Sequence, residues 1–241
     1  GRYLAERLGG NISELSRKKL ASTAERDKIG QVTGPATTDG NHAGGVAWTA
    51  QQRGQEAVIY MPKGSAKIRV DNILATGAEC TVTEMNYDDT VRMTDAKAKE
   101  NGWVVVQDTA WEGYTEIPTW IMQGYMTLAV EALEQIKAAG EEGPTHLFLQ
   151  AGVGSFASSV LGYMVAALGD KAPVTVIVEP RKADCIYKSA TAGDGLPHSV
   201  TGDMNTIMAG LACGDPTIIG WGILRDYASA YVSMHDFYAA N

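Results

Sequence analysis

Cysteine is scarce in this 241-residue chain, and the three present, Cys80, Cys185 and Cys213, lie far apart. An odd, scattered set is no disulfide framework and has no metal-ligand spacing, so neither a stapled secreted domain nor a bound metal is expected. Buried thiols in a reducing cytoplasm are the expected state. Long apolar runs are missing as well. None approaches the roughly 20 residues that cross a bilayer, and no signal peptide is visible, which argues against a membrane partner. Basic residues are outnumbered, twenty against twenty-eight acidic, for a formal charge of −8. With no basic stripe carrying interleaved aromatics, nucleic acid is not an expected partner either. Repeats and low-complexity linkers are absent too. The chain also lacks an initiating Met and stops at "HDFYAAN", within a helical pattern, so both ends read as cut.

What is present is an alternation of short apolar runs and helical patterns. "EAVIYMP" (56–62), "ECTVTEM" (79–85), "WVVVQD" (103–108), "HLFLQAG" (146–152) and "VTVIVEP" (174–180) read as strands. Helices are expected over 66–78, 87–102, 118–137 and 155–169, two of them closed by Gly77 and Gly102. Apolar strands separated by helices imply parallel pairing with both sheet faces covered, hence an α/β fold. Ligands of such sheets bind at the carboxyl ends of strands. Three loops qualify: the segment ending in Asp39-Gly40-Asn41-His42, "QDTAWEGYTEIP" (107–118) and "QAGVGSFAS" (150–158).

The third loop is strand, glycine turn, helix. Gly152 and Gly154 permit tight turning, and the amides of Val153, Gly154, Ser155 and Phe156 open a helix, a ready phosphate seat. The spacing also fits the relaxed dinucleotide fingerprint G-x-G-x-x-A, with Glu179 ending the next strand where a ribose-binding acid belongs. On the loop alone, a nicotinamide cofactor, a single-phosphate cofactor and a plain structural turn all stay open.

The first loop, "TTDGNHAGGVAW" (37–48), resembles the asparagine loop of fold-type II pyridoxal phosphate enzymes, the group of tryptophan synthase β and threonine dehydratase. With Asp before Gly-Asn-His it is similar to the diaminopropionate ammonia-lyase family. So are "VIYMPKGSAKIRVD", "MNYDDTVR", "VVQDTAWEGYTEIPTWIMQGY", "VEPRKADCIYKS" and "TIMAGLACG". The resemblance implies a two-domain, three-layer fold with parallel-rich sheets, the second domain incomplete. Residues 36–125 would form the smaller domain, and 1–35 with 126–241 part of the larger. It implies pyridoxal 5′-phosphate as cofactor, α,β-elimination of 2,3-diaminopropionate of either hand to pyruvate and ammonia, and a homodimer.

By the same resemblance Asn41 binds the ring hydroxyl and residues Gly152 to Phe156 hold the phosphate. Asp39 is the base for one enantiomer, and Asp108 is an acid beside the substrate amino groups. Each has a plain rival: Asp39 as a helix cap, Asn41 as a turn residue, Asp108 as a loop cap. His42 is expected to be structural, Trp111 and Tyr114 loop anchors, and Lys63 and Lys67 solvated. The family's covalent-anchor lysine sits upstream of the asparagine loop in a Phe-Lys motif. Lys18, Lys19 and Lys28 lie in polar surroundings unlike it, so the fragment alone is expected to be inactive. A serine/threonine dehydratase on the same scaffold, and less so an NAD-dependent oxidoreductase, are the alternatives.

Overall fold

A computed structural model describes residues 1–9, 17–20, 22–38 and 40–240. The chain forms two compact units, residues 1–107 and 108–241, and each is taken by itself. In the first, helices α1 (Arg2–Arg7), α2 (Arg17–Leu20) and α3 (Thr23–Ile29) precede strand β1 (Thr33–Thr37). Then come α4 (Asn41–Arg53), β2 (Glu56–Met61), α5 (Lys67–Leu74), β3 (Glu79–Val82) and α6 (Tyr87–Asn101). The strands pair in the order β1-β2-β3, all parallel.

Neighbouring strand residues face opposite ways, and the two faces of β1 meet different partners. Ala36 joins Ile59, Met61 and Ile73 in a core closed by Ala43 and Ala47, small residues that let α4 lie close to the sheet. Thr37 points the other way and its hydroxyl meets that of Thr94 on α6 at 2.7 Å. That helix is held at its start by Asn86, whose side chain accepts the amide of Asp89, and at its end by left-handed Gly102.

β1 escapes sequence reading because its residues, TGPAT, include glycine and proline. Pro35 also explains a second difference. Residues 103–108, expected as a strand, do not form a regular one, though 104–106 run beside β1. The amides of Val104 and Val106 reach the carbonyls of Thr33 and Pro35 at 3.0 and 2.9 Å. A parallel ladder then needs an amide at position 35 to donate back, and proline has none.

The second unit opens with α7 (Glu116–Ala138), followed by β4 (His146–Gln150), α8 (Ser155–Leu168), β5 (Val174–Pro180) and α9 (Cys185–Ala192). It ends with α10 (Ile218–Tyr227), β6 (Ala230–Met234) and α11 (Asp236–Ala240). The sheet order is β4-β5-β6, again parallel. α8 packs against both α7 and α10. Its apolar sequence, SFASSVLGYMVAAL, suits a helix covered on several sides. Val160, Leu161 and Met164 join Leu149, Ile177, Ile186, Trp221 and Leu224 in the core; each such side chain contributes roughly 1.5–3 kcal/mol on burial. The opposite sheet face carries Phe148, 70% exposed. No helix among the described residues is long and apolar enough to cross a membrane.

Candidate cofactor site

In the first unit the asparagine loop joins β1 to α4. The Thr38 amide completes the pairing of β1 with the Tyr60 carbonyl, and the Thr38 hydroxyl turns back to accept the amide of Gly40 at 2.9 Å. The guanidinium of Arg69 lies against Gly40, where an added Cβ would stand 3.0 Å from Nη1. Asn41 begins the helix and is exposed. His42 donates from Nε2 to the Val106 carbonyl at 2.8 Å, a structural use of the imidazole. Asp39 lies outside the described residues.

In the second unit the glycine loop leaves β4 and turns into α8 at Gly154, whose φ of +94° suits glycine. Gly152 is needed for closeness: a Cβ there would stand 3.1 Å from Cys213 Sγ and 3.4 Å from the Leu211 Cα. The run "TIMAGLACG" is thus packed against the glycine loop. The Val153 carbonyl accepts the Thr217 amide at 2.8 Å. The first amides of α8 have no intrahelical acceptor, and its first turn carries no acidic side chain. Partial positive charge gathers at that end, which suits an anion.

Ser155 behaves differently from a simple phosphate ligand. Its hydroxyl donates to the main-chain carbonyl of Asp108, which leaves its amide for a ligand. Asp108 is half-buried, and its carboxylate accepts the Tyr125 hydroxyl at 3.1 Å. Burial first, then the charge and hydrogen bond of Asp108, hold the Tyr125 phenol well above its ordinary range. Phe156 meets the Tyr125 ring edge-on, with centroids 5.8 Å apart. Buried Thr217 accepts the Ala110 amide at 3.0 Å while its own amide serves Val153. Asp108 is therefore tied to the phosphate-type loop twice, by its backbone through Ser155 and by its carboxylate through Tyr125, which meets Phe156.

Other candidates resolve plainly. Trp111 and Tyr114 stack on each other at 4.3 Å and exchange backbone hydrogen bonds, as loop anchors do. Lys63 and Lys67 pair with Glu84 and Asp71 at the surface. Lys28 pairs with Glu25 and Lys19 is exposed; the side chain of Lys18 lies outside the described residues. Glu179 is 1% exposed, and its two oxygens accept the amides of Ile186 and Tyr187 at 2.9 and 2.7 Å. It caps α9 rather than offering a carboxylate to a ribose, which removes the acid that the nicotinamide reading requires. Gln107 and Tyr125 lie within a quoted block of the resemblance and Thr217 outside any, but sequence reading assigned a role to none of them.

A close-packed glycine loop that opens a helix with an anion-seating first turn, in one unit, and an asparagine loop in the other are the marks of an α/β enzyme class that carries a phosphorylated cofactor. Residues 15–241 match the model of the pyridoxal-phosphate dependent enzyme family, and the chain belongs to that family. Over 240 residues it is 56% identical to diaminopropionate ammonia-lyase from Salmonella typhimurium, covering 100% of this chain and 59% of that protein. A holo crystal structure of diaminopropionate ammonia lyase from Escherichia coli superposes with a TM-score of 0.90 at 56% identity, over 99% of this chain and 58% of that one. The same enzyme in complex with D-serine gives 0.89 at 54% identity, with 99% and 58% covered. The chain thus spans about three fifths of the length of these relatives. The family's cofactor is pyridoxal 5′-phosphate, and the glycine loop, with free first-turn amides and no nearby acid in α8, fits its phosphate.

Proposed function

We propose that the complete protein carrying this chain is a diaminopropionate ammonia-lyase. It would convert 2,3-diaminopropionate of either hand, with one water, to pyruvate and two ammonia. The observation that carries this reading is the seating of Asp108: its main-chain carbonyl accepts the Ser155 hydroxyl at the head of the phosphate-type loop, and its carboxylate accepts the Tyr125 hydroxyl. An acid in that place attracts the β-ammonium of a diamino acid, a group that a hydroxy amino acid lacks. Identity of 56% with the Salmonella enzyme over the chain supports the same substrate.

When bound, pyridoxal phosphate supplies the electron sink that makes the α-hydrogen acidic. The chain's residues do the rest. The amides of Gly152, Val153, Gly154, Ser155 and Phe156 hold the phosphate, and Asn41 holds the ring hydroxyl. Asp39 takes the α-proton of the D enantiomer, while the lysine anchor expected upstream serves the L enantiomer. Asp108 orients the amino groups and relays a proton to departing ammonia. In the complete protein, residues 36–125 form the smaller domain, and 1–35 with 126–241 belong to the larger. We read that protein as cytoplasmic and, as the family resemblance implies, a homodimer.

Pyruvate release by the complete protein, wild type and Asp39→Asn, tests this. The variant should lose about 10²–10⁴-fold in kcat/KM on the D enantiomer and about tenfold or less on the L. Equal loss on both would remove the role given to Asp39. Turnover of serine or threonine with none of diaminopropionate would make the protein a dehydratase.

A further inference from the structure

The ladder broken by Pro35 has a consequence for the asparagine loop. After Pro35, the next β1 amide facing the 104–107 segment is Thr37, and a regular parallel ladder would give it the Val106 carbonyl. The structure differs. The Thr37 amide goes to Gln107 Oε1 at 2.8 Å, and Gln107 Nε2 returns to the Thr37 carbonyl at 2.8 Å. A side-chain amide thus stands in for a backbone rung. It is 1% exposed and is held from behind by the Tyr87 hydroxyl, 2.7 Å from Nε2.

The Val106 carbonyl, released from Thr37, is the acceptor that His42 takes at 2.8 Å. A carbonyl only accepts, so Nε2 of His42 carries the hydrogen. Thr37 ends β1 and His42 is the second residue of α4. Thr37 and His42, on either side of the asparagine loop, are therefore held by two consecutive residues of one extended segment.

We propose that Gln107 is the positioning residue of the asparagine loop: by replacing a strand rung with its side chain it holds the exit of β1 and leaves Val106 free to hold the entry of α4 through His42. Hydrogen-bonded anchors at Thr37 and His42 limit the freedom left to be lost when Asn41 meets a ligand. The role deepens the reading of Asn41 as a cofactor contact and rests on it. Neither Asn nor Glu can replace Gln107 in full. Asn is one methylene short, and Glu accepts from the Thr37 amide but has no hydrogen for the Thr37 carbonyl.

Hydrogen exchange of wild type, Gln107→Leu and Gln107→Glu tests the grip without any ligand. In Gln107→Leu the amides of residues 38–46 should exchange about tenfold faster or more, while those of 150–160 keep their wild-type rates; Gln107→Glu should fall between. Unchanged exchange at 38–46, or an equal rise across residues 1–107, overturns the proposal. If the leucine variant does not fold, the glutamate variant decides by the same two criteria. In the complete protein, Gln107→Leu should lower kcat per cofactor-loaded site by about 10²-fold with KM within about threefold, whereas simple loss of folded protein lowers only the number of such sites. A fall in the amount of active enzyme with kcat per site unchanged overturns the positioning role. Faster exchange at 38–46 with no lyase activity in the wild type would sink the functional reading and leave the grip standing.

Discussion

Glu179 illustrates how a residue can look like a ligand in sequence and prove otherwise in the fold. It follows a glycine loop by one strand, as a ribose-binding acid would, yet it is buried with both oxygens on the start of α9. Burial pushes its carboxyl up to about 8, against the pull of the two amides. A carboxyl raised on folding favours the folded state where it is protonated. Its contribution is complete below its ordinary value of 4.5 and is lost as pH rises through about 8. Denaturant unfolding should therefore show stability falling, by on the order of a few kcal/mol, from about pH 5 to about pH 8.5. In Glu179→Gln that slope should flatten, whatever the variant's overall stability. A wild type with no slope over this range would show that the carboxylate stays ionised in the fold. The residues that sequence singled out as cofactor contacts, Asn41 and Gly152 to Phe156, sit in contiguous motifs. Gln107, Tyr125 and Thr217 act across long separations: Gln107 meets Thr37 seventy positions away, and Thr217 meets Ala110 across 107. No local pattern announces such pairs.

Among the elements, those with a strong period were legible. β5 (Val174–Pro180) falls where the apolar run places it, and α7 (Glu116–Ala138) extends the expected 118–137 by a residue or two at each end. β1 and β6 were not, the first for its glycine and proline, the second because AYVSM is short and mixed. The lost strand at 103–108 shows that regularity belongs to a pair: VVV favours a strand, but its neighbour Pro35 has no amide to give. Two glycines, one capping α8 and one inside it, separate backbone demand from space. At Gly154, φ is +94° and a Cβ would stand 3.0 Å from Leu224 and 3.2 Å from Ile186. Gly154→Ala should destabilise the second unit by about 2–4 kcal/mol, from left-handed strain and crowding together. Gly162 lies inside the helix with ordinary 3.5 Å contacts to Ile223, so Gly162→Ala should be neutral or stabilise by up to about 1 kcal/mol. Equal effects in chemical denaturation would show that Gly154 is not conformationally required.

At the scale of the whole molecule, two parallel sheets each present a strand-to-helix loop, and each loop is fixed by groups from outside it. Thr37 and His42 are held by residues 106 and 107; Val153 and Ser155 are held by Thr217 and Asp108. The α/β class, the parallel pairing and the cofactor family were legible in sequence because strand, glycine loop and asparagine loop are each continuous. The central claim is that the head of α8 seats the phosphate of pyridoxal 5′-phosphate. Titrating the protein with pyridoxal phosphate and with pyridoxal, which share an aldehyde and a ring, isolates that group. The phosphate form should bind at least about 100-fold more tightly, as expected of two charge-assisted hydrogen bonds, and inorganic phosphate should compete with it. Equal affinities, with no competition by phosphate, would contradict the account.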